Sequence, residues 1–233
     1  SWDNLSTKGY FSIKPDKIFV WNEMHENHAE KIHGFKKENI KKCGSLFFEK
    51  WHEGECGYDD ANENTDIIKL KDFLKNEKFI LYLGSSRNIA KDESFVVENI
   101  LNSLSRNNKK YKLVIRPHPA NSKPFIKFKE NKDILVLNGK LPELHQDITF
   151  FKFLISSSSG IVGINTSAMI DVMLLGKYCN TILLDEFSNT QENAEHFKFY
   201  QELDGLILNK SYDEILKNIK KFKNIPPQSK KKN

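Results

Sequence analysis

A regular alternation of apolar and amphipathic segments, which begins near residue 66, most constrains the fold of this chain. The apolar segments are short and almost continuous, as is typical of strands buried on both faces of a parallel sheet. The pattern predicts an α/β fold with a doubly wound, Rossmann-like parallel sheet. The predicted strands cover residues 78–84, 111–117, 133–138, 151–157, 161–164, 179–185 and 205–209, and the predicted helices cover 66–76, 92–106, 122–130, 141–151, 166–176, 190–203 and 211–223.

The part of the chain before this alternation is too short for a domain of its own. It contains a predicted strand (17–22), a helix that ends at Gly34 (23–35) and a second strand (40–48). A polar stretch at 53–65 is the best candidate for a linker. We therefore predict three parts: residues 1–58 are the end of a first, acceptor-side domain plus the linker, 59–225 form a ligand-binding Rossmann-like domain, and 226–233 form a basic tail. The start at Ser1, without a methionine, is interpreted as a truncation.

Composition excludes several classes of protein. With 39% hydrophobic residues among 233, the chain can form a substantial core. The net charge of +5 depends on lysines in the last dozen residues, which argues against nucleic acid as a partner. Three widely spaced cysteines favour free thiols in a reducing cytoplasm over a disulfide framework or a zinc site. No apolar run reaches the length of a membrane span.

Polar and small residues follow four of the predicted strands. In a doubly wound sheet, ligands bind beyond the carboxyl ends of the strands. We therefore expect a pocket rich in hydroxyls, backbone amides and positive charge, which suits a phosphate. Its predicted members are Gly84, Ser85, Ser86, Arg116, His118, Ser158, Ser159, Asn165, Thr166 and Ser167.

The cluster Asn165–Ser167 stands at the predicted start of a helix. A first helical turn presents unpaired amides and a partial positive charge, and with Thr and Ser hydroxyls it can bind a phosphate. A plain N-cap by Asn165 or Thr166 explains the same residues without a ligand.

Asp171 is the lone acid of that apolar helix. A buried carboxylate needs a partner, and a pair of sugar hydroxyls is one. A solvent-facing position, or favourable placement near the positive helix end, is the alternative.

The turn Arg116–Pro119 holds a histidine between two prolines, which leave it few conformations. A stiff turn that directs His118 suits phosphate binding. The alternative is an ordinary proline-rich strand exit with His118 exposed. Arg116 could pair with a structural carboxylate instead of a ligand.

A metal site is not expected. His25 and His28 share a helix face, but no acid or cysteine completes a ligand set, so we interpret them as part of a solvated face. No Walker loop, GxGxxG, GxSxG or HExxH motif occurs in the sequence.

Two segments resemble a known family. The stretch LVIRPHP (113–119), followed by ISSSSGIVGINTSAMIDVMLLGK (155–177), is similar to the donor-binding half of GT-B glycosyltransferases of bacterial surface-polysaccharide biosynthesis. The pattern is nearest to CDP-glycerol glycerophosphotransferases and capsule transferases that use CMP-linked sugars. The stretch KIFVWNEMHENHAEKIHGF, with IKKCGSLFF, resembles the end of the first domain of such proteins. Asp171 stands five residues before Gly176, as the ribose-binding acid does in many GT-B enzymes, but Tyr178 replaces the usual proline.

The resemblance implies roles for these residues. His118 would face the donor phosphate, Ser158, Ser159, Thr166 and Ser167 would bind it, and Asp171 would hold the ribose. Gly84, Ser85 and Ser86 would lie near the donor. The catalytic base would sit in the first domain and cannot be placed. No metal or cofactor is implied.

The predicted function is therefore metal-independent transfer of a sugar or glycerol phosphate from a CMP-, CDP- or UDP-linked donor to a polysaccharide or lipid-linked acceptor. The resemblance implies a cytoplasmic enzyme, with peripheral association at the inner face of the membrane as an option, and low turnover by this piece alone. A sugar-nucleotide epimerase of the UDP-GlcNAc 2-epimerase type and a non-catalytic nucleotide-sugar-binding domain are the alternatives.

Overall fold

The computed structural model describes residues 5–6, 11–52, 64–108 and 110–221. The chain packs as two compact units, Ser1–Gly54 and Glu55–Asn233. Most of the predicted linker (53–63) and the predicted basic tail (226–233) lie outside the described residues, as does Cys56. The described cysteines Cys43 and Cys179 are free thiols. Within the described ranges, no helix is long and apolar enough to cross a bilayer.

The first unit contains a strand–helix–strand arrangement. Two parallel strands, β1 (Ile18–Val20) and β2 (Ile40–Lys42), flank helix α1 (Glu23–Lys31). The side chain of Asn22 caps the helix by accepting a hydrogen bond of 2.9 Å from the backbone N–H of His25. Helix α2 (Leu46–His52) follows. A small core of Val20, Ala29, Phe35 and Ile40 holds the two strands and α1 together.

His25 and His28 lie on the buried side of α1. Their exposed fractions are 3% and 8%, so the prediction of a solvated helix face is wrong. Burial, together with the neighbouring His28, lowers the pKa of His25, which favours a neutral ring. The helix therefore uses these rings as packing groups.

The second unit is built on six parallel strands, and this confirms the predicted doubly wound sheet. The strands are β3 (Phe79–Leu83), β4 (Lys112–Arg116), β5 (Ile134–Val136), β6 (Gly160–Gly163), β7 (Cys179–Ile182) and β8 (Leu206–Asn209). Their order across the sheet is β5-β4-β3-β6-β7-β8, which is the Rossmann order 3-2-1-4-5-6 counted within this unit.

Helices cover both faces of this sheet because alternate strand residues point to opposite sides. The helices of this unit are α3 (Thr65–Leu74), α4 (Ser94–Arg106), α5 (His145–Ser157), α6 (Ala168–Leu174), α7 (Glu195–Gln201) and α8 (Tyr212–Lys221), and short 3-10 helices cover Lys123–Phe128 and Asp185–Thr190. On one face of the sheet, Ile80 and Tyr82 of β3 pack with residues of α4 and α8. On the other face, the ring of Phe151 in α5 lies against the side chain of Arg116 at the end of β4.

Three predicted elements are wrong. The segment 151–157 is the second half of helix α5 rather than a strand, and its buried residues Phe151, Leu154 and Ile155 share one helical face. The strand predicted at 40–48 stops at Lys42, and its apolar second half belongs to α2. The helix predicted at 190–203 is shorter, and begins at Glu195 after the 3-10 helix.

Candidate functional site

The sheet has one topological switch point, which lies between β3 and β6. Chain order runs outward from β3 through β4 to β5, and then returns to continue on the other side through β6. The loops that follow β3 and β6 therefore diverge, which opens the crevice where doubly wound folds bind ligands. Gly84–Ser86 follow β3 and Asn165–Ser167 follow β6, so the structure brings these predicted residues to the same edge.

The His118 turn is held between two glycines. The backbone N–H of Gly84 donates to the carbonyl of Arg116 at 2.9 Å. A Cβ on Gly84 would lie 3.0 Å from Cα of Pro117, and a Cβ on Gly139 would lie 2.5 Å from the Pro117 carbonyl oxygen. No side chain fits at Gly139 unless the turn moves. The sequence indicated a stiff turn from its prolines, but the structure adds that its neighbours pack tightly against it.

The ring of His118 has a defined orientation. Its Nδ1 accepts a hydrogen bond of 3.1 Å from the backbone N–H of Ala120. Because an N–H points at Nδ1, the proton of the neutral ring lies on Nε2, which leaves this nitrogen as a donor. The side chain of Asn121 fastens the end of the turn to the loop after β3 by donating to the carbonyls of Ser85 and Ala90 at 3.1 and 2.9 Å.

A buried carboxylate, Glu93, lies beneath the loop after β3. One oxygen accepts from the backbone N–H of Ser85 at 2.5 Å, and the other accepts from the hydroxyl of Tyr82 at 2.9 Å. Burial raises the pKa of Glu93 to about 7, although hydrogen bonds from Ser85 and Tyr82 act in the opposite direction. Sequence reasoning missed Glu93 because nothing local distinguishes it from the exposed acids around it.

Ser85 and Asn165 connect the two strand ends. The backbone N–H of Asn165 donates to Oγ of Ser85 at 3.4 Å, which joins the loop after β6 to the loop after β3. The amide of Asn165 donates to the carbonyl of Thr190 and lies 3.1 Å from Nε2 of His196. Both residues are almost fully buried. Their side chains therefore connect the loops that line the crevice.

The helix after β6 begins without a side-chain cap. Ser167 occupies the cap position of α6 but makes no capping hydrogen bond, and it is exposed. Thr166 is buried, and its carbonyl accepts from Met169 at 3.0 Å. The plain N-cap interpretation of this cluster is therefore wrong, since neither Asn165 nor Thr166 caps α6.

Asp171 is buried in α6, with an exposed fraction of 7%, so the solvent-facing alternative is wrong. Its charge acts on two neighbours. It favours the protonated form of Arg116 and raises the pKa of Tyr200, whose own burial is the larger cause of that shift. Asp171 is thus buried and lies close enough to Arg116 and Tyr200 for its charge to act on both.

Arg116 lies beside an aromatic ring at the carboxyl edge. Its guanidinium carbon is 4.2 Å from the ring centroid of Phe151, and Nη2 donates to the carbonyl of Lys140 at 2.6 Å. Burial lowers the pKa of Arg116 to about 10, so the group stays charged at neutral pH. The side chain braces the loop after β5 against α5.

Ser158 and Ser159 do not belong to this site. Because 151–157 is helical, both precede β6, and the backbone N–H of Ser159 donates to the carbonyl of Phe79 at the first residue of β3. The hydroxyl of Ser158 donates to the carbonyl of Ile155 and caps the end of α5. The prediction that they join the other site residues is wrong, because they lie at the amino edge of the sheet, opposite the crevice.

Two further residues of the site also escaped sequence reasoning. Asn121 and Gly139 both hold the His118 turn, and they come from different loops. Asn121 lies three residues after His118, and this proximity is the only signal in the sequence that could have identified it. Nothing in the sequence points to Gly139. Over the described ranges, no cluster of three or more His, Cys, Asp or Glu side chains is arranged to hold a metal ion.

The strand order defines the second unit as a Rossmann-like α/β domain. Solved structures share this fold. UDP-GlcNAc 2-epimerase from Methanocaldococcus jannaschii, in complex with UDP-GlcNAc and UDP, matches with a TM-score of 0.59 and 17% identity over 92% of this chain and 58% of that chain. A variant of the wall teichoic acid polymerase TagF, soaked with CDPG, matches with a TM-score of 0.52 and 14% identity over 88% of this chain and 48% of that one.

At these identities the likeness is one of fold. The chain spans about half of each of these proteins. No family model matches the sequence, and no curated protein matches it.

Proposed function

We propose that this chain is the donor-binding part of a glycosyltransferase-type enzyme. It transfers a sugar or glycerol phosphate from a CMP-, CDP- or UDP-linked donor to a polysaccharide or lipid-linked acceptor, in the cytoplasm or at the inner face of the membrane. Residues 1–58 then end the acceptor-side domain, and the catalytic base lies in that domain.

One observation carries the proposal: the His118 turn and the loop after β3 lie together at the switch point. Gly84 contacts the turn directly, and Ser85 links it onward to Asn165 and the loop after β6. A phosphate between these loops would meet the Nε2–H of His118, backbone N–H groups and the hydroxyls of Ser86, Thr166 and Ser167. The polymerase structure soaked with CDPG and the epimerase complex with UDP-GlcNAc and UDP, which share the fold, support a nucleotide-linked ligand.

The proposed chemistry needs donors that are already in place. Transfer of a sugar breaks the bond between the sugar and the nucleotide phosphate, and transfer of glycerol phosphate breaks the phosphoanhydride bond of the donor. In both cases the acceptor hydroxyl forms the new bond and gives its proton to the base, while negative charge grows on the leaving phosphate oxygens. Fixed hydrogen-bond donors stabilise such charge strongly, because they need no reorganisation during the reaction. His118 suits this role, since its ring is oriented by Ala120 and its turn is packed between glycines. Asp171, on the adjacent helix, is the proposed acceptor of the ribose hydroxyls.

The test is calorimetric titration of the chain with CMP, CDP and UDP, and with cytidine and uridine as phosphate-free controls. His118→Asn is the informative variant. The Asn oxygen can still accept from the Ala120 N–H, but the donor at Nε2 is lost. A hydrogen bond to a charged group contributes about 1.5–3 kcal/mol, so we expect His118→Asn to weaken nucleotide binding by roughly 10- to 100-fold. Binding of the nucleosides should not change.

Ser159→Ala provides the matched control. This serine lies at the opposite edge of the sheet, so its loss should leave nucleotide affinity unchanged. Absence of binding by all three nucleotides would overturn the proposal. If His118→Asn weakened the binding of nucleotides and of nucleosides equally, His118 would not contact the phosphate.

Epimerisation of a sugar nucleotide is the second candidate, because the epimerase shares this fold with a TM-score of 0.59. The two reactions differ in their products. Incubation with UDP-GlcNAc alone in deuterated water should yield an epimer that carries deuterium at C2 if the chain is such an epimerase. Under our proposal, the substrate is recovered unchanged until an acceptor is added.

A further inference from the structure

Glu93 is surrounded by hydrogen-bond donors. It is the residue immediately before α4, and its side chain is fully buried. The backbone N–H of Ser85 and the hydroxyl of Tyr82 each donate to one oxygen of its carboxylate. An ionised carboxylate accepts both bonds, whereas a protonated acid turns one of these oxygens into a donor that faces another donor. The hydrogen bonds therefore favour the charged form.

Burial favours the neutral form and outweighs the hydrogen bonds. The pKa of Glu93 is about 7, against an ordinary value of 4.5. Few charges face this group: Asp92, its neighbour in sequence, raises the pKa slightly, and Lys127 interacts with Asp92. The remaining titratable neighbours are Tyr82 and, behind it, Tyr212 of α8, whose pKa values are both raised, mainly by burial. The ionisation of Glu93 thus changes near neutral pH.

The carboxylate holds both loops of the crevice. It binds the Ser85 N–H directly, and Oγ of Ser85 accepts in turn from the backbone of Asn165. On the other side, Asn121 binds the Ser85 carbonyl and the His118 carbonyl accepts from Asn121 N–H at 2.8 Å. A chain of hydrogen bonds therefore runs from Glu93 to the loop after β6 and to the His118 turn. Such networks fail as a unit when one member changes its donor pattern.

We infer that Glu93 is a positioning residue of the proposed donor site, whose ionised carboxylate holds the loops after β3 and β6 in the shape that binds a nucleotide-linked sugar. Protonation of Glu93 removes at least one of its two hydrogen bonds and loosens the Ser85 turn. Binding should therefore strengthen as the pH rises through neutrality. This inference rests on the proposed function, because it concerns the same crevice.

The experiment measures affinity for UDP-GlcNAc and CDP-glycerol between about pH 6 and about pH 8.5. Both are diphosphate diesters, so their own charge is constant over this range. For the unaltered chain we expect about a five- to tenfold gain in affinity, which is the equivalent of one hydrogen bond. Glu93→Gln mimics the protonated acid. Its affinity for the sugar nucleotides should not change with pH and should equal the low affinity that the unaltered chain has at about pH 6. Glu98→Gln, an exposed acid of the same helix, is the matched control and should keep the unaltered profile.

Tyr82→Phe provides a second variant in case Glu93→Gln does not fold. It removes a donor that favours the carboxylate, so the midpoint of the affinity profile should move to higher pH. The backbone amide resonance of Ser85, followed by NMR without any ligand, gives an independent readout. It should titrate near pH 7 in the unaltered chain and should be constant in Glu93→Gln.

The outcomes separate the two proposals. If a sugar nucleotide binds but Glu93→Gln keeps the pH dependence, or if the Ser85 resonance does not titrate near pH 7, the role of Glu93 is overturned and the proposed function stands. If the Ser85 resonance titrates as expected but neither sugar nucleotide binds at any pH, the proposed function is overturned, and with it the role of Glu93 in binding.

Discussion

At the scale of single residues, polar side chains at the carboxyl edge of the sheet satisfy one another. Ser85, Asn121 and Asn165 are almost fully buried, and each bonds to a backbone group of another loop. Gln191 behaves in the same way, since it accepts from Leu184 and donates to the carbonyl of Ile182. Buried polar groups without such partners would be costly. These residues therefore hold the loops of the crevice in place. The groups available to a ligand are the polar groups of these loops that are not used in such bonds.

The first prediction at this scale concerns stability and pH. Because the pKa of Glu93 rises on folding, the folded state binds more protons than the unfolded state between about pH 4.5 and about pH 7. The contribution of Glu93 to stability is thus fully present below about pH 4.5 and is lost as the pH rises to about 7. At about 1.36 kcal/mol per pKa unit, the loss is about 3 kcal/mol.

Urea unfolding of the unaltered chain and of Glu93→Gln, across this range, checks the prediction. The free energy of unfolding of the unaltered chain should fall relative to that of the variant as the pH rises. A constant difference would contradict the raised pKa. The expected trend in stability is opposite to the trend in affinity, as is common where a site keeps a buried charge for function.

At the scale of elements, close backbone approach sets the position of the His118 turn. The loop after β5 reaches the turn through Gly139, and β3 reaches it through Gly84. The prolines of the turn were visible in the sequence, and they predicted stiffness. The packing of two other loops against the turn was not visible, because contacts between segments far apart in sequence leave no local pattern.

Substitution of Gly139 by alanine tests this packing. The new methyl group would meet the Pro117 carbonyl oxygen at 2.5 Å, so the turn must move. We expect a loss of about 1–3 kcal/mol in the free energy of unfolding, as is usual for overpacking, together with weaker nucleotide binding.

Gly160→Ala is a matched control for this substitution. A Cβ at Gly160 would collide with the side chain of Ile219 at the opposite edge of the sheet. The control should therefore lose stability without a change in affinity. Equal losses of affinity in the two variants, measured by calorimetry, would show that general destabilisation, and not movement of the turn, weakens binding.

Helix α5 shows why some elements were wrongly predicted. Its second half, FKFLISS, is a run of apolar residues that fits a buried strand as well as a buried helix. In the structure, Phe151, Leu154 and Ile155 lie on one face against the sheet. The choice between the two conformations depends on which neighbour buries the run. Because 151–157 was predicted to be a strand, Ser158 and Ser159 were predicted to follow a strand and to lie at the carboxyl edge of the sheet. They instead follow a helix and precede β6, which places them at the amino edge.

At the scale of the whole molecule, every residue of the candidate site belongs to the unit Glu55–Asn233. This unit has its own core, which includes Ile80, Tyr82 and Ile100. We therefore expect a fragment of residues 55–233 to unfold cooperatively and to bind nucleotides within about threefold of the whole chain, since it keeps both the sheet and the loops.

Calorimetry and thermal unfolding of the fragment check this expectation. Ser159→Ala in the fragment serves as the control for the amino edge. Loss of nucleotide binding by a folded fragment would mean that residues 1–54 supply part of the donor site.

The sequence by itself determined the fold class, most strand positions and the polar strand ends after β3, β4 and β6. Those properties follow from local composition and periodicity, which each segment carries independently. Only the tertiary structure decided the order of the strands, the conformation of 151–157, the interior positions of Ser85 and Asn165, and the role of Glu93. Each of these depends on which distant segment lies alongside, and burial and hydrogen bonding between segments are properties of the packed molecule alone.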